Sequence, residues 1–459
     1  MFENGLFIFR RDLRIQDNIG LHLAVEKCKH VYPIFIFTPE QITDKNKFKS
    51  NNAIQFMIES LDDLQMNISN NNGHLNCYYG ENDKIIAKLI STWNINAVFF
   101  NMDITPYAKS RDKSISELCS RVGIPCYMSQ DYYLNHPNSV ITNSGGYYTK
   151  FTPYYNKVIR MPVEQTIFLR NFKFKNVKDG TITISDAYIK YITPNPNITV
   201  FGGRQLGLKL MDTIGRFKSY GSTRNMLNYE TTKLSAYIKF GNISIREVYH
   251  KIVTSLGRSS DILKQVIWRD FYAQLLYHNP QVLGKPLKVN YDRIKWVSNS
   301  KYLNAWKNGE TGFPVVDAGM RELNYTGYMH NRARLLTASF LIKTLLINWE
   351  DGEKYFAQHL VDYDPASNNG NWQWVASTGA DSQPYFRIFN PWTQSEKYDP
   401  DAEYIKKWIP ELSDVPSKAI HRWDIHWKNY KNIKYPKPIV DYTEQRQKAI
   451  AMYSHGIIN

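Results

Sequence analysis

Over the first 130 positions, short apolar runs alternate with segments of helical spacing. Leu6–Phe9, Tyr32–Phe37, Leu75–Tyr79 and Ala97–Asn101 read as buried strands, with Ile124–Met128 as a fifth. Between them, Ala53–Leu64, Asp83–Trp93 and Tyr107–Val122 carry apolar residues at the helical period. Such alternation predicts an α/β domain over 1–130, built on a doubly wound parallel sheet. Residues 131–215 hold turn clusters such as Asn143-Ser144-Gly145-Gly146 and Thr193-Pro194-Asn195-Pro196-Asn197, and predict a long, partly irregular interdomain connector. From 216 to 459 the helical period is almost continuous, which predicts an all-α domain.

One predicted helix has two distinct stripes. Ile262, Leu263, Val266, Ile267, Leu275 and Leu276 form its apolar side, which leaves Gln265, Trp268, Arg269 and Tyr272 on another. That second stripe suits either a ligand or a neighbouring helix.

Charge divides the chain in the same place as the pattern. The first 150 residues carry 15 basic and 15 acidic side chains, leaving 42 basic and 27 acidic in the remainder, so the whole net charge of +15 lies there. Trp93 is the only tryptophan before Trp268, and ten of the eleven fall from that position onward. A basic, aromatic-rich half is what a nucleic-acid backbone and its bases require, although a basic surface over a tryptophan-rich core gives the same count. No apolar run is long enough to span a membrane, and Met1-Phe2-Glu3-Asn4 does not open like a secretory leader. A soluble, intracellular chain is the expectation, with cytoplasm and nucleus both open. Four cysteines without a CxxC pair support neither a disulfide framework nor a cysteine-based metal site.

Three stretches are denser in functional side chains than a core needs. Tyr229-Glu230-Thr231-Thr232-Lys233-Leu234-Ser235, with Tyr220 shortly before it, has the hydroxyls and amides to hold a diphosphate or simply to cap a helix. Met329–Leu335 places Asn331 and Arg334 three residues apart beside an apolar run, and a buried arginine there needs a carboxylate. Asp362–Trp374 packs two carboxylates, three asparagines, a glycine and two tryptophans into thirteen residues, which reads as a polar–aromatic loop suited to an aromatic, hydrogen-bonding ligand. Neither GxGxxG after the first strand nor GxxxxGK(S/T) occurs, so the usual dinucleotide and P-loop devices are absent.

The opening FIFRRDLRIQDN, the WRDFY at Trp268, the run from Thr311 to Leu341 and the run from Asn368 to Pro400 closely resemble photolyases and cryptochromes. Among these the chain is most similar to class I cyclobutane pyrimidine dimer photolyases. The resemblance implies a helical domain that holds FAD, with reduced FADH⁻ as the active form, and a DNA photo-lyase activity driven by blue light. On that footing Tyr220, Thr231, Thr232, Lys233, Leu234 and Ser235 hold the diphosphate, Asp362 pairs with Arg334, and Asp364 and Asn368 lie at the flavin. Trp268 and Trp374 would cradle the flipped lesion, with Gln265 and Asn331 beside it. Trp372, Trp349 and Trp296 match the tryptophan chain that brings electrons in from the surface. Arg269, Arg332 and Arg387 match positions near the DNA backbone. UV-damaged DNA is the implied partner, and a monomer is expected.

The chain also departs from that pattern. Gln265 stands where the class I enzymes have Glu, and Leu335 where Met is common. Gln at that position is typical of (6-4) photolyases, but their two active-site histidines match Asn331 and Leu335 here. The cyclobutane dimer therefore stays the expected substrate, with (6-4) repair and cryptochrome-type signalling as alternatives. The chain runs only a short way past the FAD-binding motifs, without a long signalling tail, and Asn368 leans to repair. Ala108 lies where folate-binding relatives have Glu, so the identity of any second, antenna chromophore stays open.

Overall fold

The computed structural model describes residues 1–458. Strands β1 (Phe2–Phe9), β2 (Cys28–Phe37), β3 (Asn76–Tyr79), β4 (Ala97–Asn101) and β5 (Cys126–Ser129) form one sheet in the order β3-β2-β1-β4-β5. Every pairing is parallel, and Gly5 of β1 sits opposite Val31 of β2 and Ala97 of β4. Near-continuous burial along β1, β2 and β4 explains why these strands read as unbroken apolar runs: helices cover both faces. Leu6, Ile8, Ile34, Ile36, Val98 and Phe100 pack with Ile86, Leu89, Ile115 and Leu118 on one face. Phe7, Phe9, Phe35, Phe37 and Phe99 line the other, and that second core continues into the helical domain.

All five predicted strands and the three predicted helices of this domain are present, the helices as Asn51–Ser69, Asn82–Thr92 and Pro106–Arg121. The helix Ile19–Lys27, capped by the Asn18 side chain, was not anticipated. Connector residues include the helices Phe151–Val158, Ile184–Tyr191 and Arg204–Asp212. The last of these is fastened to the helical domain through Arg204, whose guanidinium lies 2.6 Å from Glu247.

Beyond it, the helices Asp261–His278, Asn331–Lys343, Trp349–His359 and Pro365–Ala376 surround the site described below. No described helix is long and apolar enough to cross a membrane. Arg11, just past β1, reaches across to Asp364 at 2.8 Å, and Arg246 of the helical domain lies 2.8 Å from Asp131. Gly241 has φ +66, and a side chain there would run into the backbone of Arg11 and Asp12. The close approach of the two domains at that point therefore requires glycine.

Candidate flavin site

A cavity of about 320 Å³ opens in the helical domain. Ile238, Val248, Ile252, Ile262, Val266, Phe356 and Val375 supply apolar walls, while Thr232, Ser235, Arg334, Asp362, Asp364 and Asn368 supply polar ones. Tyr220, Leu234, Gln265, Arg269, Asn331, Leu335 and Trp372 complete the set of sequence-predicted residues that line it. Stretches more than 150 residues apart in the chain thus converge on one site. Apolar walls with a few convergent polar groups suit a planar aromatic ligand with a polar edge.

The expected ion pair is present. Arg334 donates from NH2 to Asp362 Oδ2 at 3.0 Å and from Nε to the Met329 carbonyl at 2.9 Å. Ser235 Oγ donates to the same Asp362 oxygen at 2.7 Å. Asp362 Oδ1 is buried with no partner. An acceptor left unpaired in a cavity wall costs free energy unless a ligand donor meets it, and an imide N–H of a flavin-type ring provides one. The residues present therefore fit the cofactor.

Asn368 is fixed from behind: its Nδ2 donates to the Glu353 carbonyl at 3.0 Å. Its Oδ1 is thereby left as the acceptor on a residue that lines the cavity. Glu353 Oε1 in turn accepts from Asn369 Nδ2 at 3.0 Å, and burial pushes the Glu353 carboxyl up to about 7. Burial alone would raise Asp364, but Arg11, Lys239 and Arg269 hold it well below the usual carboxylate range. Lys239 is lowered as well, to about 8, but against its charged form, by burial and then by neighbouring Arg11.

Several expectations need correction. The Asp362–Trp374 stretch is not a loop, because Pro365–Ala376 is a helix with Asp364 Oδ1 accepting from Ser367 N as its cap at 3.0 Å. Its polar residues are used to line the cavity and to bond neighbouring elements, so they leave no apolar stripe to read. Arg269, matched by resemblance to a DNA-backbone position, is largely enclosed. Its NH1 donates to the Tyr132 carbonyl at 2.7 Å, its guanidinium lies over the Tyr133 ring, and it lines the cavity. Asp270 beside it accepts from the backbone of Leu134 and Asn135, so this part of the helix anchors the connector. Tyr272, read as part of the polar stripe, is buried.

Thr231 and Lys233 do not line the cavity. Thr231 Oγ1 is 3.5 Å from the Tyr328 hydroxyl, and Lys233, at φ +52, lies 3.8 Å from Glu230. Trp268 and Trp374, both half-buried, also lie outside its lining. Arg387 is exposed and bonds Gln383 at 3.0 Å, while Arg332 donates to Asn225 at 2.6 Å and lies over Tyr398. Trp372, which lines the cavity, and Trp349 are buried, and Trp296 is half-buried. Trp306, for which the sequence suggested no role, meets Trp372 edge-on at 6.3 Å.

A second cavity, of about 930 Å³, lies at the carboxyl ends of the strands. Phe35 and Phe37 of β2, Arg11 after β1 and Asp103 after β4 line it, together with Lys45, Lys47 and Lys49. Open α/β sheets bind ligands at this edge, where the strand order reverses. Lys239 and Tyr363 line both cavities, so the two sites share a wall. Nothing in the local sequence pointed to Lys239, Arg11 or Asp103, because only long-range packing brings them together.

The profile of the FAD binding domain of DNA photolyase matches residues 262–455, and that of the DNA photolyase domain matches residues 6–166. A deoxyribodipyrimidine photo-lyase of Alkalihalophilus pseudofirmus is 35% identical over 97% of this chain and 96% of its own. An archaeal photolyase from Sulfolobus tokodaii, solved with two FAD molecules, superposes with a TM-score of 0.85 at 38% identity, covering 98% of this chain and 100% of that one. A class III photolyase from Agrobacterium tumefaciens gives a TM-score of 0.91 at 31% identity, over 99% of this chain and 98% of its own. The paired domains, the cavity with its Arg334–Asp362 pair and these full-length likenesses lead to one assignment: the chain belongs to the DNA photolyase family and carries that family's FAD-binding domain.

Proposed function

We propose that this protein splits cyclobutane pyrimidine dimers in UV-damaged DNA under blue light. The observation that carries the reading is the convergence of Arg334–Asp362, Asn368, Gln265 and Trp372 on a single cavity. FAD, when bound there in its reduced form, supplies the light absorption and the electron that opens the cyclobutane ring.

The side chains supply binding, orientation and exclusion of protons. Arg334 engages one oxygen of Asp362, which leaves the other to accept from the flavin edge. Asn368 offers an amide oxygen and brings no acidic proton to the flavin centre. Gln265 Nε2 donates to the Asp261 carbonyl at 3.2 Å, which leaves Oε1 to accept from a pyrimidine imide. Trp268 and Trp374 form the aromatic walls for the flipped lesion, whose poor stacking in the duplex lowers the cost of flipping. Arg387 and Arg332 meet phosphates, and Trp372, Trp349 and Trp296 carry electrons inward from the surface. Thr232, Leu234 and Ser235, with Tyr220, hold the diphosphate end of the cofactor.

The second cavity takes the antenna chromophore. Its supports are the strand-end position, the lysines at 45, 47 and 49, and the parallel Phe48–Tyr363 pair at 6.4 Å. These suit a planar aromatic anion.

The test uses UV-irradiated oligothymidine with reduced, FAD-loaded protein under blue light. Thymine absorbance should recover. No recovery with the flavin confirmed bound overturns the reading.

A further inference from the structure

Phe151 belongs to the stretch between the two domains, yet its ring lies flat on Trp268, with centroids 3.6 Å apart and planes 6° apart. Aromatic pairs in proteins ordinarily sit with centroids about 4.5–7 Å apart, offset or edge-on. Here one face of the indole is covered outright. Phe271 meets the same indole edge-on at 5.5 Å, and Tyr272 is tilted against it at 5.5 Å. Trp268 is nonetheless only half-buried, so part of the indole stays accessible.

Phe151 is itself held. It is buried at the start of the helix Phe151–Val158, with its ring edge-on to Phe271 at 5.7 Å. Its backbone N–H donates to Asp381 Oδ2 at 3.2 Å. Asp381 lies on the segment between the helix Pro365–Ala376, which carries Trp374, and Arg387. One residue thus ties together the connector, the Trp268 helix and the segment leading to Arg387.

We propose that Phe151 is a positioning residue for lesion recognition, acting by holding the Trp268 indole in the orientation that receives the flipped dimer. This rests on the reading of Trp268 as a lesion wall. A rigid indole loses little freedom when a base stacks on it, whereas an unbacked one must be ordered at the moment of binding. Undamaged duplex keeps its bases inside and draws on phosphate contacts alone, so Phe151 should not affect it.

The experiment measures, in the dark, the affinity of FAD-loaded protein for an oligothymidine duplex with one cyclobutane dimer and for its undamaged twin. Phe151→Leu keeps bulk but removes the flat face. Its damaged-to-undamaged ratio should fall about 3- to 10-fold, the range of one aromatic stacking contact. Phe151→Tyr should restore the ratio, and flavin absorbance should be unchanged in both. Trp268→Ala is measured alongside. If Trp268→Ala leaves the ratio intact, the lesion-wall reading falls and this proposal with it. If Trp268→Ala lowers the ratio and Phe151→Leu does not, the proposal alone is overturned. An equal loss on both duplexes would mark Phe151 as a merely structural part and overturn it as well.

Discussion

The Asn368 amide nitrogen sits 3.0 Å from the backbone carbonyl of Glu353, so a side chain at the heart of the site is oriented by a main-chain atom of another helix. A backbone acceptor cannot be mutated away, but the donor can. Asn368→Asp leaves the Glu353 carbonyl without its partner and puts a titrating oxygen where the amide was. The lost bond costs about 1–3 kcal/mol. Dimer splitting per absorbed photon should fall at least severalfold while FAD stays bound, checked by quantum yield and flavin absorbance on the same sample.

Glu353 gives a pH signature. Burial raises its carboxyl from 4.5 to about 7, so the folded chain holds a proton there that the unfolded chain releases. Its stabilising contribution is full below the unfolded value and is lost as pH rises through about 7. Glu353→Gln keeps the amide-acceptor oxygen for Asn369 and removes the titration. The decline in melting temperature between pH 5 and pH 8 should be smaller in this variant than in the parent. Lys343, which burial lowers to about 7, acts in the opposite direction and is common to both proteins, so it cancels in the comparison.

Gly352 is predicted to be intolerant of any side chain. A Cβ there would overlap the Trp372 ring, which is pinned by Phe356 at 4.9 Å and by Trp306. Gly352→Ala should cost about 1–3 kcal/mol by overpacking and should shift Trp372 against the cavity. Chemical denaturation reads the first effect, and the rate of light-driven flavin reduction reads the second.

Arg269 and Arg387 should separate in a salt titration. Arg387 is exposed, and removing a phosphate contact lowers the slope of log affinity against log salt by about 1. Arg269→Ala should leave that slope unchanged and instead weaken FAD retention, because Arg269 lines the flavin cavity and bonds Tyr132. Equal slopes in the two variants would contradict this division.

The residues differ in how openly the sequence declared them. Ala97–Asn101 was read to the residue because a buried parallel strand is a plain apolar run with polar neighbours. The helix Pro365–Ala376 was hidden because Ser367, Asn368 and Asn371 line the cavity while Asn369 and Gln373 bond a buried carbonyl of the neighbouring segment, which erases the apolar period. Its start was still written in the chain: Asp364 as cap and Pro365 in the first turn are a helix opening, although the asparagines after them looked like a turn. Arg334 and Asp362 could be paired on chemistry alone, since a buried arginine demands a carboxylate. Arg269 could not, because a motif fixes a residue's position in the chain but not the direction of its side chain. Arg11 and Lys239 left no local sign at all; their roles exist only once residues more than 200 positions apart are packed together.

The arginines that cross between the domains bear on how such a protein can change over time. Arg11 finds Asp364, Arg14 finds Asp131 and the Gly241 carbonyl, and Arg246 finds Asp17, all in buried surroundings. Exchanging the first domain for that of a distant relative would strand several of these charges at once, so recombination at the apparent boundary is penalised even where each half folds well. Novelty in this chain is therefore expected to enter by substitution within the lining of either cavity, with the two halves inherited together.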